Sequence, residues 1–186
     1  MAEPMTRLTL VPHRQTLKSP INTVTAEICL DKSKAAQIRF VVTGGIGRLR
    51  LPAAAPSAHA DNLWRETCFE AFIAPCAETN YFELNFSPST QWAAYRFSSY
   101  RQGMDRAAEC PAPEIAVKKS TIRFELRARI GLDWIKPPAP WKIGLSTILM
   151  DVSGEISYWA LAHSAGKPDF HDRSSFVHVL NEKAGS

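Results

Sequence analysis

Long apolar runs are missing from this 186-residue chain. No uninterrupted stretch approaches the ~18 apolar residues that a spanning helix needs, which excludes a helical membrane protein. Met1-Ala-Glu-Pro-Met-Thr-Arg reaches apolar side chains only as the alternating Leu8, Leu10 and Val11. With no basic segment leading into a continuous apolar stretch, no secretory signal is read and a cytoplasmic location is expected. Cysteine is scarce: Cys29, Cys68, Cys76 and Cys110 include no Cys-x-x-Cys pair and are too few for a disulfide framework. Cys68 and Cys76 do not have the spacing of zinc ligands, so all four are expected to be reduced thiols. Clustered positive charge is also missing. The net charge is +4, from 22 basic and 18 acidic residues. The bases are scattered, with small groups at Arg48/Arg50, Lys118/Lys119 and Arg123/Arg127/Arg129. The last three alternate with Ile122, Phe124, Leu126 and Ala128, which reads as the solvated side of a strand and not as a nucleic-acid surface.

Several catalytic signatures are absent too. Gly-x-Ser-x-Gly does not occur. The glycines at Gly44-Gly45-Ile46-Gly47 are followed by a strand pattern where a phosphate-binding loop needs a helix. No Cys-x-x-Cys-His haem attachment signal is present.

What is present is alternation. With 45% hydrophobic and 22% charged residues, the chain has enough apolar material for a folded core, and disorder is not expected. Its length fits a single domain over residues 1–186, with a core at about 6–180 and flexible termini. Apolar and polar residues alternate with period two over 6–12, 23–30, 36–43, 64–73, 80–86, 91–97, 114–119, 121–130, 141–151, 155–162 and 175–180. A hairpin through Gly44–Gly47 into 48–51 and a tight turn at Asp151-Val-Ser-Gly154 join neighbours. Pro52–Asn62 and Pro137–Pro140 read as loops, and Tyr100–Met104 and Leu132–Ile135 have room for a helical turn at most. Short strands with little or no helix between them predict an all-β, antiparallel two-sheet β-sandwich of jelly-roll or immunoglobulin-like form. Trp134 and Trp141, flanking the Pro-rich loop, are read as sealing one end of the core.

The informative block is 64–97. On 80–86, Phe82, Leu84 and Phe86 face the core, so Tyr81, Glu83 and Asn85 face outward. On 64–73, Phe69, Ala71 and Ile73 join the core, which places Trp64, Glu66, Glu70 and Phe72 on the outer side. On 91–97, Trp92 and Arg96 share one face. If these strands are neighbours, one surface collects carboxylates, an amide, aromatic rings and a guanidinium. Aromatic faces stack on the C–H face of a pyranose, and carboxylates and amides pair with hydroxyls. The same alternation also fits an ordinary polar sheet face, in which Glu opposite Arg is a routine cross-strand pair. An open face of that kind leaves its carboxylates solvated, without the burial that raises an acid's pKa, so a glycosidase is not expected.

Leu63-Trp64-Arg65-Glu66-Thr67-Cys68-Phe69-Glu70-Ala71-Phe72, then Tyr81-Phe82-Glu83-Leu84-Asn85-Phe86-Ser87-Pro88 and Trp92-Ala93-Ala94-Tyr95-Arg96-Phe97, resemble the DOMON-like domains. These are similar to the family-9-like carbohydrate-binding modules. Tyr100-Arg101-Gln102-Gly103-Met104, Tyr158-Trp159-Ala160-Leu161-Ala162-His163 and Lys167-Pro168-Asp169-Phe170-His171 look like further pieces of a bacterial subgroup. The resemblance implies a non-enzymatic β-sandwich that binds a small sugar or glycan. Its ligand contacts would be Trp64, Glu70, Tyr81, Glu83, Asn85, Trp92 and Arg96, with His171 at the rim. A haem-binding domain is the alternative, since other DOMON branches hold haem; Met104, Met150, His163 and His171 are the available axial ligands. A protein-interaction sandwich using the same face is the third reading. No cofactor or metal is assigned. The loop holding His163, Asp169, His171 and Asp172 could hold a cation or simply turn the chain.

Overall fold

The computed structural model describes residues 5–16 and 19–181. The flexibility expected of the termini concerns residues that lie largely outside this range. Among the described residues the chain forms twelve strands: β1 (Thr6–Pro12), β2 (Ile21–Leu30), β3 (Ala35–Gly44), β4 (Cys68–Pro75), β5 (Tyr81–Phe86), β6 (Trp92–Phe97), β7 (Asp105–Arg106), β8 (Glu114–Lys119), β9 (Arg123–Gly131), β10 (Trp141–Met150), β11 (Ile156–Ala160) and β12 (His178–Leu180). Helix is confined to three short 3-10 turns, at Ile46–Arg48, Leu63–Arg65 and Arg173–Ser175. None of these is long and apolar enough to cross a membrane.

All the strand pairs are antiparallel, and they run in the order β7-β6-β5-β4-β10-β11-β1-β2-β3-β9-β8, with β12 also on β10. Strand β1 makes the sheet continuous. Its residues Thr6–Leu10 pair with β2, while Val11 and Pro12 pair with Ala160 and Trp159 of β11. The sheet curls from there, so that its two flanks enclose the main core. Phe69 of β4 sits at the centre of that core, 5.2 Å from the ring of Phe40 (β3) and stacked at 5.6 Å on Phe124 (β9).

The sequence pattern places most strands correctly, and the exceptions have local causes. Residues 48–51 do not form the second arm of a hairpin. A 3-10 turn at Ile46–Arg48 follows β3, and Leu49 makes only an isolated bridge to Asp151. Gly44 permits this exit: at φ 129° a Cβ there would lie 2.6 Å from the Pro20 carbonyl. Strand β4 begins at Cys68 and not at 64, because Leu63–Arg65 coils into a 3-10 turn after Asn62, whose φ is 63°. The Asp151 turn forms as read. Asp151 Oδ1 accepts from Ser153 N at 2.8 Å and Glu155 N at 3.1 Å. Trp141 is buried in the core, and Trp134 stands edge-on to Phe82 at 5.0 Å, so both seal the core end.

The basic groups of β9 are tied into ion pairs. Glu125 accepts from Arg39, Arg123 and Arg127, and Arg129 pairs with Asp31. Bonding to Arg39, then to the other two guanidiniums, outweighs burial and holds the Glu125 carboxyl down at about 2.

A second apolar cluster covers the opposite face of β4, β5 and β6. It includes Phe72, Tyr81, Tyr95, Phe97, Ile148, Phe170 and Phe176, the last two from the segment after β11. All eight residues of β4 and all six of β5 are buried as a result. The outer face expected to meet solvent is therefore an interior surface. Gly144 of β10, opposite Phe72, makes room for this cover, since a Cβ there would lie 2.6 Å from the Phe176 ring. Gly144→Ala is expected to destabilise the protein by about 1–3 kcal/mol through overpacking, measured by urea unfolding. An unchanged midpoint would show that the Phe176 ring is not fixed there.

Candidate functional site

The register of the central strands decides which side chains meet. Glu70 lies opposite Ser146 on one side and Asn85 on the other, and Phe72 lies opposite Gly144 and Glu83. Glu83 faces Tyr95 and Tyr81 faces Phe97 across to β6. Directly opposed residues share a face, and diagonal neighbours on it are within reach of long side chains. Glu70 and Glu83 are such a diagonal pair.

Two segments roof this surface and leave a cavity of about 320 Å³. The turn after β6 brings Arg101 and Met104, and the segment after β11 brings Pro168, Phe170 and His171. Trp64, delivered by the 3-10 turn before β4, and Tyr158 of β11 complete the walls with Phe72, Phe97 and Ile148. The two carboxylates form the floor. A volume of this size is at the low end for ligand sites, which are typically about 300–1,000 Å³ and mostly apolar with few convergent polar groups.

The polar groups are held by a short chain of bonds. Ser146 Oγ donates to Glu70 Oε2 at 3.0 Å, and Asn85 Nδ2 donates to Glu83 Oε1 at 2.8 Å. The Tyr81 hydroxyl accepts from the Arg101 backbone N–H at 3.2 Å and bonds His171 Nδ1 at 2.8 Å. This bond engages Nδ1 whichever partner donates, and leaves Nε2 as the ring nitrogen turned toward the carboxyls. That nitrogen lies 3.7 Å from Glu83 Oε2. Arg101 adopts a left-handed φ of 54°, a conformation that costs a non-glycine residue about 1–2 kcal/mol. It directs its guanidinium to Asp169 Oδ1 at 2.8 Å. Asp169 also accepts from the hydroxyl of Tyr100 and, at 3.1 Å, from the His171 backbone N–H.

Burial sets the protonation of the site. Glu70 is 2% exposed and Glu83 5%. Burial, then the charge of Glu83, raises the Glu70 carboxyl, opposed by Ser146. Burial also raises Glu83, opposed by the Asn85 amide and by Arg101. The two carboxyls interact, so their last proton belongs to the pair. The sequence pattern alone suggested solvated carboxylates with ordinary acidity. The roofing segments reverse that expectation. His171 moves the other way, down to about 4, chiefly by burial and then by the Arg101 charge, against Asp169. Burial, then the two carboxylates, pushes the Cys68 thiol well up; it sits behind them, 3.7 Å from Asn85 Oδ1.

Of the residues proposed from sequence, Trp64, Glu70, Glu83 and His171 line the cavity. Tyr81 and Asn85 lie beneath it, Tyr81 stacked on Phe97 at 4.7 Å and holding His171, Asn85 holding Glu83. Trp92 and Arg96 are not brought to it. In the β5–β6 register Trp92 opposes Phe86 and Arg96 opposes Phe82, so both take the side of the main core. Trp92 is buried in that core, and Arg96 pairs with Glu109. The face of β6 that reaches the site carries Ala93, Tyr95 and Phe97. Arg101, Met104, Tyr158 and Phe170 were not singled out as contacts, although all four stand in the family-like segments. Phe72 was legible from its alternation with Glu70.

Neither the haem nor the cation arrangement is assembled. Met104 and His171 reach the cavity, but His171 Nδ1 is engaged by the Tyr81 hydroxyl and Nε2 stands 3.7 Å from Glu83 Oε2. Met150 ends β10, and His163 Nε2 bonds the Val11 carbonyl at 2.9 Å. These groups do not fit an axially ligated iron. Asp172 caps the turn at Arg173–Ser175 by accepting from Ser174 N at 2.9 Å. No three His, Cys, Asp or Glu side chains among the described residues converge on a metal position.

A carboxyl raised above its unfolded value of 4.5 keeps its proton in the folded state while the unfolded chain loses it, so stability falls as pH rises. For the pair the window runs from about 4.5 up to about 7 for Glu83 and about 8 for Glu70. Glu70→Gln is therefore expected to gain on the order of 1–3 kcal/mol relative to the parent between about pH 5 and pH 8. Urea unfolding at both pH values checks this, and a pH-independent difference would contradict it.

No protein-family model and no curated protein matches the chain. Solved structures do. A candidate carbohydrate-binding protein from Bacteroides uniformis superposes with a TM-score of 0.66 at 12% identity, over 95% of this chain and 86% of that one. A family 9 carbohydrate-binding module from Caldicellulosiruptor kristjanssonii, in complex with glucose, gives 0.53 at 15% identity, over 92% and 81%. The module in complex with cellotriose gives 0.51 at 15% identity, over 87% and 75%. At these identities the likeness establishes a shared all-β fold.

Proposed function

We propose that this chain is a non-catalytic carbohydrate-binding module of DOMON-like type, a single β-sandwich domain that takes a small sugar or the end of a glycan. The observation that carries the reading is the pair of buried carboxyls on the floor of an aromatic-walled cavity. One shared proton makes the pair both donor and acceptor, which suits vicinal hydroxyls. Trp64, Tyr158 and Phe170 offer flat faces for the C–H side of a pyranose. The small volume favours a monosaccharide unit over a long chain. Three similar structures support the class, two of them of a module in complex with glucose or cellotriose.

The position of the acids supports binding without cleavage. Glycosidases need two carboxyls flanking the scissile bond. Glu70 and Glu83 instead project side by side from neighbouring strands onto the floor of the cavity. A reducing, cytoplasmic setting belongs to the same proposal, supported by cysteines too few for a disulfide framework.

Isothermal titration with glucose and cellotriose tests the reading. Trp64→Ala and Glu83→Ala are each expected to weaken binding at least tenfold, about 1.4 kcal/mol, with cooperative unfolding retained. Absence of heat and of thermal stabilisation by either sugar, or binding that both variants keep, would refute it.

A further inference from the structure

We infer that the sugar taken by this cavity carries a protonated amine, seated between Glu70 and Glu83 and against the aromatic walls. The inference rests on the sugar reading and narrows it to amino sugars.

The charge count of the site is unbalanced. Of the lining residues, Glu70 and Glu83 are acidic and Arg101 is the one fixed cation. Its guanidinium is already paired with Asp169 at 2.8 Å. His171, the nearest base to Glu83, has its Nδ1 bonded to Tyr81 and is kept neutral by burial. The other titratable groups around the pair are the Tyr81 phenol below, the Cys68 thiol behind and the Tyr95 phenol opposite Glu83, which donates to Asp61 at 2.6 Å; burial holds all three protonated. Nothing on β4, β5, β10, the turn after β6 or the segment after β11 brings a second cation to the floor.

Two oxygens are also left over. Ser146 takes Glu70 Oε2 and Asn85 takes Glu83 Oε1. Glu70 Oε1 and Glu83 Oε2 accept no hydrogen bond from any described residue, His171 Nε2 standing off at 3.7 Å from Glu83 Oε2, and both side chains line the cavity. Ionised carboxylates are rarely kept buried without a partner, because each costs several kcal/mol of lost hydration. An ammonium group has three donors and no acceptor, so it complements the two free oxygens once both carboxyls are ionised, a state that a hydroxyl does not favour. It also replaces the shared proton as the counter-charge that lets both carboxyls ionise. Trp64, Tyr158 and Phe170 then face a cation, which aromatic rings attract by roughly 0.5–2 kcal/mol.

Calorimetric titration of the intact chain near neutral pH with glucosamine, glucose and N-acetylglucosamine decides the question. Glucosamine is expected to bind at least tenfold tighter than the other two. N-acetylglucosamine keeps the nitrogen but removes its charge, so it isolates the ionic contribution. Glu83→Gln is expected to bring the ratio of glucosamine to glucose affinity below about threefold. Should that variant fold poorly, the parent protein supplies the same readout: the ratio collapses once pH is high enough to deprotonate the ligand amine. Glucose binding as tightly as glucosamine would overturn the amine inference and leave the sugar reading standing. If none of the three sugars binds, the amine inference falls, and the cellotriose titration alone decides the sugar reading.

Discussion

Strands β4 and β5 carry apolar side chains on both faces, and the rest of the molecule is arranged to keep both faces dry. Phe69, Ala71 and Ile73 point into the main core, where Phe69 meets Phe40 and Phe124 from the opposite flank of the curled sheet. Phe72, Ala74 and Tyr81 point the other way, into a cluster completed by Phe170 and Phe176. A strand buried on one side can place its polar residues in water. These two cannot, so Glu70, Glu83 and Asn85 must find partners inside the protein or in a ligand.

The protein meets that constraint only in part. Ser146 and Asn85 each satisfy one carboxylate oxygen. The remaining acidity is handled by protonation, since burial raises both carboxyls and sets one against the other. The outer face of β9 shows the contrary solution. There Glu125, also buried, is surrounded by Arg39, Arg123 and Arg127 and driven to low pKa. One chain thus contains a neutralised carboxylate in a structural network and two under-compensated ones in a cavity. Groups perturbed by burial in a cleft are the ones that make a site a functional candidate.

The roof is built with equal care for backbone geometry. Arg101 in a left-handed conformation turns its amide to the Tyr81 hydroxyl and its guanidinium to Asp169, which ties the turn after β6 to the segment after β11. Tyr81 then fixes His171. These contacts fix both segments above the carboxylates.

Period-two alternation by itself determined the all-β class, most strand positions, the core side of Phe69, Ala71, Ile73, Phe82, Leu84 and Phe86, and the gathering of Glu70, Glu83 and Asn85 on the other side. It could do so because a strand's side chains must alternate whatever surrounds them. The side taken by β6 was not legible in the same way. The hairpin after β5 sets which residue opposes which, and a one-residue difference in frame exchanges Trp92 and Arg96 for Tyr95 and Phe97. Alternation also says nothing of what lies above a face. Only the tertiary structure brought the turn after β6 and the segment after β11 over β4 and β5, turning a polar surface into a cavity and acidic carboxylates into near-neutral ones. Burial depends on neighbours far along the chain, which no local pattern records.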